Sequence, residues 1–323
     1  MVKELISKYK TLLLLLLSTT FILIIYRQFE WNQLIEIARQ ANLTFLILGC
    51  LLSIFLGYLS SIRYSYFASK ISTDFYLRIY TSVKCYFISS CFNLLLPSKL
   101  GDLSKGFIAQ RLENKKYPNA IHAFTLYEKA SDLFALLIIG LITSFLMLIV
   151  NISPNLYTYI YIPIKLNFFF LMSILTILLL LFFVLAPIKK LGMPRYFIDI
   201  TPKKVIEIFN FNKKYKWKEF YLLLLSSTII WLIHILQMLI FANAIDIQIW
   251  NLSGVFILIF SILIGLLPLS FAGIGIRDAS LVYFLSPILG NTKPLILGIL
   301  LTSRYLIPAL IGLIFLNELK GKK

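Results

Sequence analysis

Acidic residues are scarce in this chain: 14 Asp and Glu among 323 residues, against 31 Lys and Arg. Charged residues of either sign reach only 14%, too few to coat a water-soluble domain of this length. Only three cysteines occur, Cys50, Cys85 and Cys91, all in apolar surroundings and without metal-ligand spacing. That excludes a disulfide framework and a zinc site, and leaves buried, inert thiols. The two histidines, His122 and His234, lie far apart and also lack ligand spacing, so each reads as a cavity or core residue. Nucleophile-elbow, aspartate-rich diphosphate and zinc-helix motifs are missing, which leaves little basis for catalysis. No metal and no cofactor is therefore expected.

Long apolar runs are what the chain has instead: hydrophobic residues make up 59% of it. Stretches of span length are Thr11–Tyr26, Leu43–Ile62, Tyr80–Leu96, Leu133–Val150, Leu166–Ala186, Phe220–Phe241, Leu252–Leu269 and Leu295–Leu316. Each approaches the roughly 20 residues that a helix needs to cross the hydrocarbon core. A shorter run covers Ala279–Leu289. The first run follows Lys3, Lys8 and Lys10, yet no small-residue cleavage site comes after it, so it reads as a retained span. The expected fold class is an all-α polytopic membrane protein of about six spanning helices, one membrane domain over residues 1–323 with no separate soluble domain.

The net charge of +17 would suggest nucleic acid in a soluble protein. Here the basic residues fall between apolar runs, no nucleic-acid motif accompanies them, and they mark cytoplasmic loops. Residues 187–218 hold nine of them, and 63–79, 98–118 and both chain ends are also basic. Residues 151–165 contain Lys165 alone, and 242–251 contain none. This bias places both termini, 63–79, 98–118 and 187–218 in the cytoplasm of a cell-membrane protein.

The bias creates a conflict of parity. If 63–79 and 98–118 share one side, the segment between them cannot simply cross, and Gly101–Tyr117 is too polar to supply a second crossing. Residues 80–112 are therefore expected to form a hairpin that enters and leaves on the cytoplasmic side. Residues 252–289 are expected to form a matching hairpin from the outside, although a pair of spans satisfies the loop charges there equally well. Leu95-Leu96-Pro97 leads to Gly101 and Asp102, and Leu266-Leu267-Pro268 leads to Gly273, Gly275 and Asp278. Each hairpin is followed by a span with an early cation, Lys129 or Arg304. Interrupted segments in corresponding places are the mark of an inverted-repeat transporter.

Broken backbone at membrane depth survives only where it is buried in protein or lines a watery cavity. Pro97 ends the regular ladder, and Gly101, Gly273 and Gly275 permit tight turns and close approach. Free amides at the following helix starts would seat a phosphate, with Lys99, Lys105 and Arg277 beside them. Glu128 and Asp132, four apart, share a helix face with Lys129 close by, as the wall of a cavity would. Arg63 and Arg304 give weaker signals; Arg304 sits about ten residues into an apolar run and needs a partner, Asp278 or a lipid phosphate. Gly273-x-Gly275-x-x-Asp278 has no strand before it, which rules out a dinucleotide loop.

Taken in order, Asn93, Pro97, Gly101-Asp102, Lys105, Glu128-Lys129-x-x-Asp132, Pro268, Gly273-x-Gly275-x-Arg277-Asp278 and Arg304 resemble the lysylphosphatidylglycerol synthase transmembrane, or flippase-like, family. The resemblance covers roughly residues 10–318. Arginine is usual in that family where Lys105 and Lys129 stand, and glutamate where Asp278 stands. Charge sign is kept at each position, but lysine does not clamp a phosphate bidentately as arginine does. The resemblance implies a domain that handles membrane lipids, either phospholipids or polyprenyl-phosphate-linked sugars. Aminoacyl transfer belongs to a further soluble domain in the two-part enzymes and is not expected of this chain. The expected partners are membrane lipids, with a second copy of the chain or a lipid-modifying enzyme as protein partners. Two other readings remain: a transferase acting on a lipid carrier through Glu128 or Asp132, and an accessory subunit that presents 187–218 to a cytoplasmic protein.

Overall fold

The computed structural model describes residues 31–70, 76–96, 100–114, 120–152, 217–266 and 274–320. Among these, every element is helical: α1 Trp31–Gln40, α2 Leu43–Ala68, α3 Ile79–Leu95, α4 Lys105–Glu113, α5 Ala120–Ile152, α6 Trp217–Ala244, α7 Leu252–Gly265, α8 Ile276–Leu289 and α9 Thr292–Phe315. Short 3₁₀ turns precede α4 (Leu100–Ser104) and follow α9 (Leu316–Lys320). The expected spans Thr11–Tyr26 and Leu166–Ala186 lie outside the described residues.

Among the described residues, four helices are long and apolar enough to cross a membrane: Leu43–Ala68, Phe124–Met147, Lys218–Ala244 and Thr292–Leu319. The 26 residues of α2 extend about 39 Å, against a hydrocarbon core of about 30 Å. Its outward face is apolar, with Leu43, Ile47, Leu51, Phe55 and Tyr58 exposed. Its inward face is small and polar, through Gly49, Ser53, Gly57, Ser60 and Ser61. A helix in water is arranged the other way round. In lipid there is no hydrophobic gain in turning leucines inward, so small residues and hydrogen bonds hold helices together instead. The α2–α6 contact works this way: Gln237 of α6 donates to the Gly49 carbonyl and to Ser53 Oγ, each at 2.7 Å.

Two runs differ from their sequence-based bounds. α5 starts at Ala120, not at Leu133, so Glu128, Lys129 and Asp132 lie two to three turns inside the helix rather than at its edge. α2 likewise continues past Ile62 and carries Arg63 within it. Hydropathy drops at charged residues and marks a boundary there. Ion pairing, invisible to hydropathy, lets the helix continue.

In both stretches two helices pack on each other, α3 on α4 and α7 on α8. α3 ends at Leu96, whose extended backbone (φ −108°, ψ 141°) leaves the helix. The chain then returns so closely that a Cβ on Gly101 would stand 2.4 Å from the backbone nitrogen of Asn93. α4 packs back on α3 but has nine residues, about 14 Å, and cannot cross. In the second hairpin α7 and α8 have 14 residues each, about 21 Å, again too short. Gly275 opens α8 at φ 92°, a conformation that suits glycine, and its amide donates to Asp278 Oδ2 at 3.1 Å.

The packing is reciprocal. α2–α3–α4–α5 and α6–α7–α8–α9 follow the same order of long helix, hairpin, long helix. α2 packs on α6, the first hairpin's α3 packs on α9, and the second hairpin's α7 packs on α5. Each unit thus lays its hairpin against the last helix of the other, as two repeats related by a twofold axis do.

Gly101→Ala tests the hairpin turn. The new Cβ would strike backbone atoms that cannot rotate away, so a loss of about 1–3 kcal/mol is expected, read as a lower melting temperature in detergent. Gly140→Ala, whose Cβ would meet only a side-chain methyl at 3.3 Å, should change little.

Candidate functional site

The first unit gathers five charges around one carboxylate. Glu128 of α5 has no solvent exposure. Its Oε1 accepts from Arg63 Nη2 at 2.8 Å, and its Oε2 accepts from Lys105 Nζ at 3.0 Å. Arg63 continues to Asp132, with Nη1 to Oδ1 at 2.6 Å and Nη2 to Oδ2 at 3.1 Å, and reaches Ser227 Oγ on α6 at 2.8 Å. Lys129 forms an ion pair with Asp102 and lies 3.8 Å from Asp132 Oδ2. Asp102 is held from α3: Asn93 donates its amide to Oδ1 at 2.9 Å and accepts the Asp102 backbone N–H at 3.0 Å. Gly101 is what brings Asp102 close enough for this exchange. The Lys105 ammonium also faces the rings of Tyr64 and Tyr86, 5.1 and 5.7 Å from their centroids. Three cations, Arg63, Lys105 and Lys129, therefore balance three carboxylates, Asp102, Glu128 and Asp132.

The second hairpin builds a smaller clamp. Arg277 donates to Asp278 Oδ1 from Nε (2.9 Å) and Nη2 (2.6 Å), and Nη2 also reaches the Gly298 carbonyl at 2.7 Å and Thr302 Oγ1 at 2.8 Å. Gly298 has to be glycine for this: a Cβ there would lie 2.6 Å from Asp278 Oδ1. The clamp ties the start of α8 to α9. Arg304, one and a half turns further along α9, is 4% exposed. Its Nη2 lies 2.9 Å from His234 Nδ1 on α6. The same Nδ1 lies 3.4 Å from Gln237 Oε1. Among the described residues, Nε and Nη1 of Arg304 have no hydrogen-bond partner, and no carboxylate lies within ion-pair distance.

These groups converge on a pocket of about 80 Å³ between the two units. Asn93, Asp102, Lys129, Asp132, His234 and Arg304 line it, with Tyr86 and Trp231 as aromatic walls. At about 10–15 Å³ of such space per water, it has room for a few waters or one small oxyanion. A larger cavity, about 340 Å³, sits at the other end of α3 between Arg78, Thr81, Lys84, Glu113 and Glu318. It is the more open of the two and lies away from the buried charges, so the smaller pocket is the better functional candidate.

Of the residues selected from sequence, Asn93, Gly101, Asp102, Lys105, Glu128, Lys129 and Asp132 come together as one network. Gly275, Arg277 and Asp278 form the clamp, and Arg304 joins the pocket. Pro97, Lys99 and Gly273 lie outside the described residues. Lys105 and Arg277, expected as open phosphate ligands, are instead committed to Glu128 and Asp278. Asp278 faces Arg277, not Arg304. Ser227 and Tyr86 were not read from the sequence, and Arg63 carries far more of the network than its position after an apolar run implied. A polar residue within an apolar helix is a usable signal for Ser227 and His234. Nothing in the spacing links either to α2 or α9.

Lipid-facing long helices, two interlocked hairpin units and a charge-lined pocket between them define a polytopic helical membrane protein with an intramembrane polar site. The family model described as Lysylphosphatidylglycerol synthase TM region matches residues 11–314, and the chain belongs to that family. No curated protein and no solved structure matches it.

Removing one partner of a buried ion pair strands the other charge and costs about 3–5 kcal/mol. Glu128→Gln should therefore lower thermal stability in detergent sharply, because Arg63 and Lys105 both depend on it. Asp246→Asn, in a 3.9 Å pair whose carboxylate is 84% exposed, should leave the melting temperature unchanged.

Proposed function

We propose that this protein moves a phosphate-bearing lipid across the bilayer, as a flippase or scramblase. It acts in the cytoplasmic membrane with both termini on the cytoplasmic side. The observation that carries this reading is the polar pocket between the two hairpin units, walled by helices whose outer faces are apolar. A charged headgroup cannot enter hydrocarbon alone without a large desolvation penalty, and a pocket of balanced charges at membrane depth lowers it. The acyl chains stay outside, along the apolar faces of the spanning helices. Reciprocal packing of the two units supports a site that opens to either side by rocking one unit against the other. The substrates that fit are an anionic or headgroup-modified phospholipid, or a polyprenyl-phosphate-linked glycan.

The role proposed is not enzymatic. Glu128, Asp102 and Asp132 each hold at least one cation, an arrangement that favours positioning and charge balance over a carboxylate free to take a proton from a reacting group. Family membership supports lipid handling.

The experiment is lipid movement in proteoliposomes that carry a fluorescent phosphatidylglycerol, read by access of a membrane-impermeant quencher to the inner leaflet. Purified protein should speed movement well above that in protein-free vesicles. Lys129→Ala, which removes the most accessible cation of the pocket, should slow it at least tenfold. A rate equal to that of empty vesicles for the unmodified protein would sink the reading.

A further inference from the structure

The charge balance of the pocket points to the class of headgroup it accepts. Arg63, Lys105 and Lys129 are matched by Asp102, Glu128 and Asp132, and Arg277 is matched by Asp278. Among the described residues of the pocket, Arg304 is the cation left over. It is 96% buried, it meets His234 and the ring of Tyr305 in the pocket, and two of its nitrogens have no acceptor among the described residues. A buried guanidinium in that state calls for an anion. The same pocket offers no complementary surplus for a cation, since every carboxylate that lines it already holds one or two.

We propose that Arg304 seats the phosphate of a lipid whose headgroup is net negative, and that the site discriminates against headgroups bearing a compensating amine. This deepens the lipid-moving reading above and rests on it. An aminoacylated headgroup would bring a positive charge next to Arg304, Lys129 and Arg63 with no free carboxylate to meet it. A plain phosphodiester or polyprenyl phosphate brings only the negative charge that Arg304 lacks. The position of Arg304 adds to this assignment. Asp132 and Arg304 each lie twelve residues beyond the start of their long helices, α5 and α9, and each faces a residue of the helix that precedes its unit's hairpin. In the first unit that partner is the cation Arg63, and in the second it is His234. The repeat thus has a complete ion pair on one side and a half-filled one on the other. The missing half is an anion.

Trp231 lines the pocket, and its ring centroid is 5.3 Å from that of His234, so its fluorescence reports occupancy. The test titrates the full-length protein in detergent with four probes: short-chain phosphatidylglycerol (net −1), phosphatidylcholine (net zero), lysylphosphatidylglycerol (net +1) and inorganic phosphate. Trp231→Phe supplies the blank. Phosphatidylglycerol should bind saturably and at least tenfold more tightly than the other three. Arg304→Gln should remove that preference, and Arg304→Lys should restore part of it. Equal or tighter binding of phosphatidylcholine or lysylphosphatidylglycerol would overturn the proposal. So would unchanged phosphatidylglycerol affinity in Arg304→Gln that keeps its helical circular dichroism. Inorganic phosphate binding as tightly as the lipid would overturn the lipid as the source of the anion. If Arg304→Gln does not fold, the ranking of the four probes on the unmodified protein still decides. A headgroup preference without lipid movement in proteoliposomes would sink the transport reading alone. Movement with no headgroup preference would sink this one alone.

Discussion

Glu128 is the constraint on which the first half of the molecule rests. A carboxylate with no solvent exposure has to be matched on both oxygens, and it is: by Arg63 from α2 and by Lys105 from α4. Those two contacts fix where the hairpin returns relative to the long helices. Lys105 can reach Glu128 only if the turn at Gly101 presses against α3, and that same turn delivers Asp102 to Asn93 and Lys129. One buried charge thus sets the positions of four helices, because in hydrocarbon an unmatched ion is far more costly than any packing defect.

The helices around this core follow the logic of a lipid solvent. Their inner faces carry glycine and serine and their outer faces carry leucine, isoleucine and phenylalanine. Close approach and hydrogen bonding replace the hydrophobic effect as the source of cohesion. Gly312, whose added Cβ would stand 2.0 Å from the Phe87 carbonyl, lets α9 lie against α3, and Cys91 Sγ donates to the Ala309 carbonyl at the same contact. That contact joins one unit's hairpin to the other unit's last helix.

The two units have the same order of parts and different charge. The first closes its charges on itself; the second keeps a tight Arg277–Asp278 clamp and leaves Arg304 facing the pocket. Lys105 and Arg277 occupy corresponding places at the starts of the short helices, and both serve as internal ties. This differs from the sequence-based expectation that those two cations would meet a phosphate directly. The expectation counted charges beside broken backbone. It had no means of counting the carboxylates that fold onto them.

Much was legible beforehand because it depends on composition along the chain. The membrane class follows from long apolar runs. The first hairpin was expected from loop charge; for the second, loop charge allowed a pair of spans equally well, and the recurrence of proline, glycine and a carboxylate after an apolar segment suggested the hairpin. Glu128, Lys129 and Asp132 stood out as ionisable groups beside an apolar run, although hydropathy placed them at the helix edge because it treats every charge as unpaired. Arg63 and Ser227 remained weak signals, because their importance lies in partners 65 and 164 residues away. Which charges cancel and which one is left over is a property of three-dimensional neighbours alone. The chain determined that charges would be buried; only the packing of the helices around the pocket left Arg304 without a carboxylate among the described residues.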